Sequence, residues 1–600
     1  MGTAAVPPVV AGLPLLGSVL ALGSGGAAFL HQCRNQVWIH VSSSSSSAFA
    51  SCPADLRACL PRMPMPFHYA ACVCCWIHVC PQYGDAFTLR LLGQRMTFVF
   101  APATLRHYFS APDSQLSFAP AALRHKLVPS ELPRHTARLA GLLLMQLDAW
   151  PATGQPDLWE LVKRLVFQSS VALLFGPAFL QSNAACQHTQ EGQPGASPGA
   201  AAVSLQTDPV SPSGCSSTPS SSSGRRAEQL QRDFFVFEAG FELAASPVPH
   251  ILQPGFLAAR RRLLAALRTA HKQGMFEGTA CGLPEQYVPN MLLAVLWASQ
   301  ANAVPAAFWS LGFLLLPENR RHLQAVVQEA QQAVTAGTDT PEPAADNAQL
   351  LPTHRQHATV KGLPPLLTDE QQRGLVALAA NRRSAAAAAV AEALRLRSFS
   401  IDVRIAAADS ALPCGQAADG SMHAVWVQKG DVVAISPYEC HQDPRLFQSS
   451  AHTYDPQREG IQLGGGTAAH AAVVGVNGIA GLSFGGGKYR CPGRSFAETE
   501  LALITSLLLL CFDWQLLPRE ATAAGKGQAR PPPQPQPPAA GGAGQQQQPQ
   551  QAVPGDPGGL LPPPDLKKLV GIKIPSDPCW VQYTRRELPA WPVSVLGHHL

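Results

Sequence analysis

The chain has 600 residues, of which 46% are hydrophobic and only 14% charged, against roughly 25% charged in an ordinary soluble globular protein. That composition excludes wholesale disorder, collagen and coiled coil, and points to a large buried core or to membrane contact. A net charge of +5 from 44 basic and 39 acidic side chains is too evenly balanced for a dedicated nucleic-acid binder, so no nucleic-acid partner is implied. The fifteen cysteines are odd in number and irregularly spaced. Six of them crowd Cys52 to Cys80, and the isolated remainder suits a reducing compartment.

Residues 1–36 read as a proline-rich hinge and a first helix. The first 33 carry no charge, but Pro7, Pro8, Pro14 and several glycines interrupt any continuous membrane-spanning helix, and no basic stretch marks a signal peptide. From Val37 to Gln82 the character changes to a run of serines, Ser42 to Ser47, followed by Pro-, Met- and Cys-rich text with no helical or alternating period. Removing that stretch joins a helix tail, FLHQCRNQ, to an alternating strand, YGDAFTLRLLG. The 37–82 segment therefore reads as an aberrant insert, expected to be a retained intron, and sequencing the mature transcript tests this. Its CVCCWIHVC run lacks the second CxxC pair of a zinc site.

Residues 83–600 form the expected catalytic domain. Alternating pieces predict two strand pairs, DAFTLRLLG with MTFVFA and DVRIAAA with DVVAIS. Apolar residues at spacings of three and four predict helices in AGLLLMQLDAW, ELVKRLVFQSSVALLF, RRRLLAALRTAHKQ and ENRRHLQAVVQEAQQAV. Three stretches, at about 186–226, 336–362 and 519–564, are rich in Gly, Ser, Pro or Gln and read as disordered inserts, because such compositions bury too little apolar surface to offset chain entropy. The expected fold class is mainly α with a small β-sheet region.

Chemistry concentrates in Phe484-Gly-Gly-Gly-Lys-Tyr-Arg-Cys491-Pro-Gly493, a glycine-rich loop that presents one cysteine just before an apolar helix. A thiolate there is favoured by the positive end of the helix dipole and its free N–H groups. Gly485, Gly486 and Gly487 let the backbone lie against a flat ligand, and Arg490 can pair with a carboxylate on it. Standing alone, such a loop could equally precede a core helix and bury a structural cysteine.

It does not stand alone, and here the chain resembles the cytochrome P-450 superfamily. Phe484, Gly487, Cys491 and Gly493 meet the haem-loop pattern FxxGxxxCxG, Glu392-Ala-Leu-Arg395 meets ExxR, and Tyr454-Asp-Pro-Gln-Arg458 meets the later aromatic-x-Pro-x-Arg segment, all in the right order. The resemblance implies a P-450 fold with haem b between a long central helix and the Cys-bearing loop, and Cys491 as the axial ligand of the iron. It further implies a buried ion network of Glu392, Arg395 and Arg458, with Arg404 beside Arg490 as a propionate partner. No Trp-x-x-x-Arg pair follows Phe118; Arg124 or His125 are the substitutes on offer there.

Asn290 to Leu316 carries no charge and by hydropathy alone would span a membrane. Ser299, Gln300, Asn302 and Pro305 instead predict a core helix kinked where Pro305 has no N–H for the carbonyl of Ala301. In the superfamily this helix lies over the oxygen side of the haem. The common pattern places an acid and a threonine where this chain has Ala301 and Asn302, which removes the usual proton relay. LWASQANAVPAAFW is similar to the sterol 7-alpha- and 12-alpha-hydroxylase and prostacyclin-synthase branch, which contains both monooxygenases and an isomerase.

The resemblance thus implies a haem-thiolate monooxygenase acting with O2 on a lipophilic, sterol-like or oxidised-lipid substrate. Its electrons come from NADPH through a flavoprotein reductase docked on a basic cysteine-side surface that includes Lys488, Arg490 and Arg494. The alternatives are a reductase-independent isomerase or dehydratase of a lipid peroxide, and an inactive haem-binding relic. Eukaryotic members sit on the endoplasmic reticulum membrane. This chain begins almost at the hinge, PPVVAGLPLLG, so attachment falls to an anchor ahead of it or to an apolar surface such as FELAASPVPHILQPGFL.

Overall fold

The computed structural model of the chain describes, with short breaks, residues 86–117, 132–181, 222–276, 284–335, 366–458, 479–518 and 559–587, preceded by Leu30 and two short strands. In chain order the elements are β1 (Trp38–His40), β2 (Ile77–Cys80), β3 (Ala86–Leu91), β4 (Gln94–Val99), α1 (Pro102–Ser110), β5 (Leu116–Ser117), α2 (Leu132–Asp148), β6 (Thr153–Gly154) and α3 (Leu158–Phe175). There follow α4 (Ser222–Ala244), α5 (Pro254–Lys272), α6 (Val288–Gln300), α7 (Ala303–Leu314), α8 (Arg320–Thr335), α9 (Asp369–Ala380) and α10 (Ala385–Arg397). The last group is β7 (Asp402–Ala406), β8 (Ser410–Gln416), β9 (Met422–Val427), β10 (Val432–Ile435), α11 (Arg494–Cys511), β11 (Phe512–Leu516) and β12 (Val581–Arg585). This is a mainly α fold with a minor sheet component.

The chain divides into two compact units, the first made of residues 1–127, 382–498 and 531–577, and the second of 128–381, 499–530 and 578–600. The first unit is built on a five-stranded sheet of order β3-β4-β10-β7-β5, in which β4 and β10 are parallel and the other neighbours antiparallel. Both predicted strand pairs lie in it. DVRIAAA and DVVAIS pair directly, Arg404 opposite Val433. Phe87, Phe98 and Phe100 stack on one face of this sheet with Phe399 and Leu30, and Val99, Leu105, Phe109, Val433 and Leu482 pack on the other. The hairpin β8-β9 belongs to the same unit.

Most of the 37–82 insert lies outside the described residues. Its ends do not: β1 pairs antiparallel with β2, Trp38 opposite Cys80. The insert leaves and rejoins the chain at one place, through a two-stranded ladder that its irregular composition did not signal.

The second unit is helical. Phe167, Phe175, Phe234, Phe237 and Phe256 of α3, α4 and α5 form its core with Leu263, Leu267, Leu292 and Leu296. Asp157 caps α3, its side chain accepting from the N–H of Trp159, and Thr368 with Gln371 forms a capping box on α9. Gly374 in the middle of α9 is required by close approach, because a Cβ there would strike the backbone carbonyl of Ala333 on α8. A small sheet, β11-β12-β6, closes this unit around Trp150, Phe512, Trp514 and Tyr583.

Two boundaries differ from the sequence reading. The stretch about 186–226 ends in helix, since α4 already begins at Ser222, and the stretch about 519–564 ends in ordered chain, where Leu561 is buried and Pro564 bridges Pro575. Low-complexity composition averages over windows, and in both cases it smeared across a few residues that packing orders.

The apolar stretch Glu285–Leu314 is long enough to cross a membrane by length and composition, but α7 is buried at every residue from Ala303 to Leu314. The interruption falls at Ala301 and Asn302, between α6 and α7. Pro305 sits in the first turn of α7, where its missing N–H leaves no bond unmade within that helix.

Candidate functional site

In the first unit the loop before α11 folds on itself. The N–H of Cys491 donates to the carbonyl of Phe484 at 2.8 Å, and Gly485 adopts a positive φ of 69° that favours glycine. Gly486 packs under α1: a Cβ built on it would lie 2.5 Å from the ring of buried Phe109, which is itself held edge-on by Tyr108. Gly486→Ala is therefore expected to displace that ring at a cost of about 1–3 kcal/mol, measured by urea unfolding, and combining it with Phe109→Leu should recover most of the loss. Gly487 and Lys488 lie outside the described residues.

Cys491 is a free, solvent-open cysteine. Protein atoms around its sulphur push the thiol pKa up, while the N–H groups of Gly493 and Arg494 and the charge of Arg494 pull it back towards the thiolate. Arg494 opens α11, and its N–H reaches the carbonyl of Cys491 at 3.4 Å. The Nε of Arg490 is buried with no hydrogen-bond partner, and burial together with the repulsion of Arg494 holds its guanidinium below its usual pKa.

Arg494 differs from the basic surface expected of it. It is 5% exposed, donates to Glu498 at 2.6 Å and covers the ring of Phe484, so it braces the start of α11. The i,i+4 spacing of Arg494 and Glu498 on a helix produces this pairing. Arg382 adds a second contact to Glu498 at 3.7 Å and a hydrogen bond to Ser495.

The structure brings Glu392, Arg395 and Arg458 together. Glu392 and Arg395 are fully buried and joined by two bonds of 2.8 and 2.7 Å, with Arg458 3.5 Å from the same carboxylate. Spare donors are absorbed by backbone carbonyls, Arg395 giving to His441, Ala451 and Thr453, and Arg458 to Phe447, Ser450 and Thr453. The N–H of Asp455 also donates to Glu392, and the hydroxyl of Tyr454 to the carbonyl of Ala389. Three charges out of water are tolerable only because their lone pairs and protons are satisfied in this way.

Arg404 is buried on β7, its guanidinium 5.1 Å from the ring centroid of Tyr108 and bonded to the carbonyl of Val403. Beside it stand two residues that no motif marks. Asp402 is pushed up to about 6 by burial, partly offset by Arg404, and has an unpartnered Oδ2; the hydroxyl of Tyr108 is buried without a partner. Asp402 was findable, since it shares a strand face with Arg404 at a spacing of two; Tyr108 was not, because only tertiary packing delivers it.

In the second unit, Ala301 and Asn302 form the break between α6 and α7, half-buried, with the carbonyl of Asn302 accepting the N–H of Ala306. Arg124 and His125 lie outside the described residues. The same unit exposes aliphatic side chains at the end of α4 and in the turn after it: Leu243 is 47%, Ile251 79% and Leu252 68% exposed, while Phe256 of the same stretch is buried.

Comparison with known proteins follows this geometry. The family described as cytochrome P450 matches residues 382–535, the part of the chain that holds the Glu392 network and the Cys491 loop. The mouse (Mus musculus) protein named cytochrome P450 7B1 is 25% identical over 73% of this chain and 80% of its own. The mouse protein named 24-hydroxycholesterol 7-alpha-hydroxylase is likewise 25% identical, over 75% of this chain and 84% of its own. Among solved structures, retinoic acid-bound cyanobacterial CYP120A1 matches 98% of this chain and all of its own with a TM-score of 0.51 at 16% identity, a likeness of fold. Over residues 382–535 the chain is similar to the cytochrome P450 family, and among the curated proteins it is similar to are ones named as sterol 7-alpha-hydroxylases.

Proposed function

We propose that the chain is a haem-thiolate monooxygenase that hydroxylates a lipophilic substrate, a sterol or an oxidised lipid, with O2 and electrons passed from NADPH by a flavoprotein reductase. The observation that carries this reading is the Cys491 loop: an exposed, free cysteine set just ahead of α11, on a turn closed by its own N–H to the carbonyl of Phe484 at 2.8 Å. The residues of the first unit fit a haem. Arg490 keeps a buried donor for a propionate, Arg404 offers a second cation, and Gly486 has no Cβ to hold the loop away from α1. When bound, haem would supply the activation of O2, with the sulphur of Cys491 as the donor that tunes its iron.

The chain's own residues do the rest. Cys491 would bind the iron, Arg490 and Arg404 would hold the propionates, Phe484, Gly487 and Gly493 would shape the loop, and Glu392, Arg395 and Arg458 would fix the backbone that carries it. Asn302 hydrogen-bonds oxygen or a substrate oxygen, and Ala301 leaves no acid for a direct proton relay. This last feature also favours the second reading, an isomerase or dehydratase of a lipid peroxide, which turns over without consuming NADPH. The reading includes attachment to the endoplasmic reticulum membrane; the exposed Leu243, Ile251 and Leu252 support membrane contact.

The test is the absorbance spectrum of the dithionite-reduced, carbon-monoxide-bound protein. The strongly red-shifted thiolate band is expected from the native chain and is expected to vanish in Cys491→Ser. A native spectrum lacking that band overturns the reading and favours an inactive relic; its presence with substrate turnover independent of NADPH favours the isomerase.

A further inference from the structure

Helix α5 carries Arg260, Arg261, Arg262, Arg268, His271 and Lys272 and no acidic residue along its length. Its buried side is formed by Phe256, Ala259, Leu263, Ala266, Leu267 and Ala270. At about 100° per residue, Arg261, Arg268 and Lys272 fall within roughly 40° of one another, directly opposite that side. All three are exposed. Two other cations of the helix are engaged: Arg262 is gripped by both carboxylate oxygens of Asp233 at 2.6 to 2.9 Å, and Arg260 reaches Asn290 at 3.5 Å. Arg261, Arg268 and Lys272 make no ion pair or hydrogen bond among the described residues.

Ile251 and Leu252, 79% and 68% exposed, precede these cations in the turn that leads into α5. An exposed aliphatic pair followed by cations on the outward face of a helix is the combination that suits a bilayer interface. The aliphatic groups enter the acyl boundary while the cations meet headgroups. An acidic protein would complement the charge but would leave the aliphatic pair unused. We infer that the outward face of α5 binds anionic phospholipid headgroups, so that the membrane contact made by Ile251 and Leu252 prefers acidic lipid. This rests on the membrane placement proposed above and deepens it by naming the lipid chemistry.

The experiment is co-sedimentation of the full chain with vesicles of phosphatidylcholine alone and of phosphatidylcholine mixed with phosphatidylserine, at about 0.15 M salt, where the Debye length is near 8 Å. At least about tenfold tighter binding to the mixed vesicles is expected, given the pull of an anionic surface on each nearby cation, and raising the salt should erase it. The triple variant R261Q/R268Q/K272Q should lose most of that preference while still binding phosphatidylcholine. The variant I251S/L252S should lose binding to phosphatidylcholine, which separates the membrane placement from the lipid preference. Equal binding of the native chain to both vesicles, or a preference untouched in the triple variant, overturns the inference while leaving the placement intact. Native chain that sediments with neither vesicle overturns both, as does capture by an acidic protein without vesicle binding.

Discussion

Glu392→Gln is expected to destabilise the chain by about 3–5 kcal/mol, the cost of leaving a buried cation without its counter-charge. The environment explains the size. Arg395 and Glu392 are 0% exposed, and the guanidinium lies 4.7 Å from the ring centroid of Phe447, so no water can replace the lost charge. Arg395 would retain its three carbonyl acceptors, which blunts the loss of hydrogen bonds but not that of the ion pair. Urea unfolding measures the effect, and haem uptake by the purified variant reports the same injury at the site. Arg458→Gln should be milder, because that side chain is partly exposed and touches the carboxylate only at 3.5 Å. A loss below about 1 kcal/mol for Glu392→Gln, the range of an exposed pair, would show that the network does not carry this core.

Glu500→Gln is expected to stabilise the chain, and only at neutral and alkaline pH. Glu500 is buried in the second unit on α11, where among the described residues the hydroxyl of Ser170 on α3 donates to it. Burial pushes its carboxyl from 4.5 up to about 7, with the Ser170 bond pulling the other way. Below pH 4.5 the folded and unfolded states both hold the proton and the group costs nothing. Between 4.5 and about 7 the unfolded chain releases a proton that the folded chain keeps, so stability falls as pH rises. Above 7 the loss is complete, at about 3 kcal/mol for a shift of this size. The glutamine variant should therefore unfold at higher urea than the native chain at pH 8 and at nearly the same urea at pH 4. A gain of equal size at both pH values would mean that ionisation of Glu500 is not the cause.

These residues differ in how far the sequence exposed them. Glu392, Arg395 and Arg458 were legible because the ordered motifs carry a resemblance to cytochrome P-450 that implies this network; i,i+3 spacing alone offers only the Glu392–Arg395 pair. The carbonyls of His441, Ala451 and Thr453 that make the arrangement affordable were not legible, since any residue can supply them. Glu500 gave no signal, because a glutamate in an apolar helix reads as solvent-facing until α3 is packed against it. Arg494 misled for a related reason: charge in a loop suggests surface, and its i,i+4 partner Glu498 decides otherwise only once both are buried.

By itself the sequence determined the mainly helical class, both strand pairs of the first unit, the cysteine at the start of α11, and the membership of the Glu392 network. These are readable because helical and strand periodicities and short motifs are properties of neighbours along the chain. Only the tertiary structure decided that Phe109 needs a glycine at 486 and that Tyr108 and Asp402 gather beside Arg404. It also decided that the central helix parts fully at Ala301 and Asn302, around the carbonyl that Pro305 cannot serve, and that Ile251 and Leu252 are exposed ahead of the outward cations of α5. Each of these depends on which distant segment, or which side of a helix, meets another, and burial and partner identity are set by that packing.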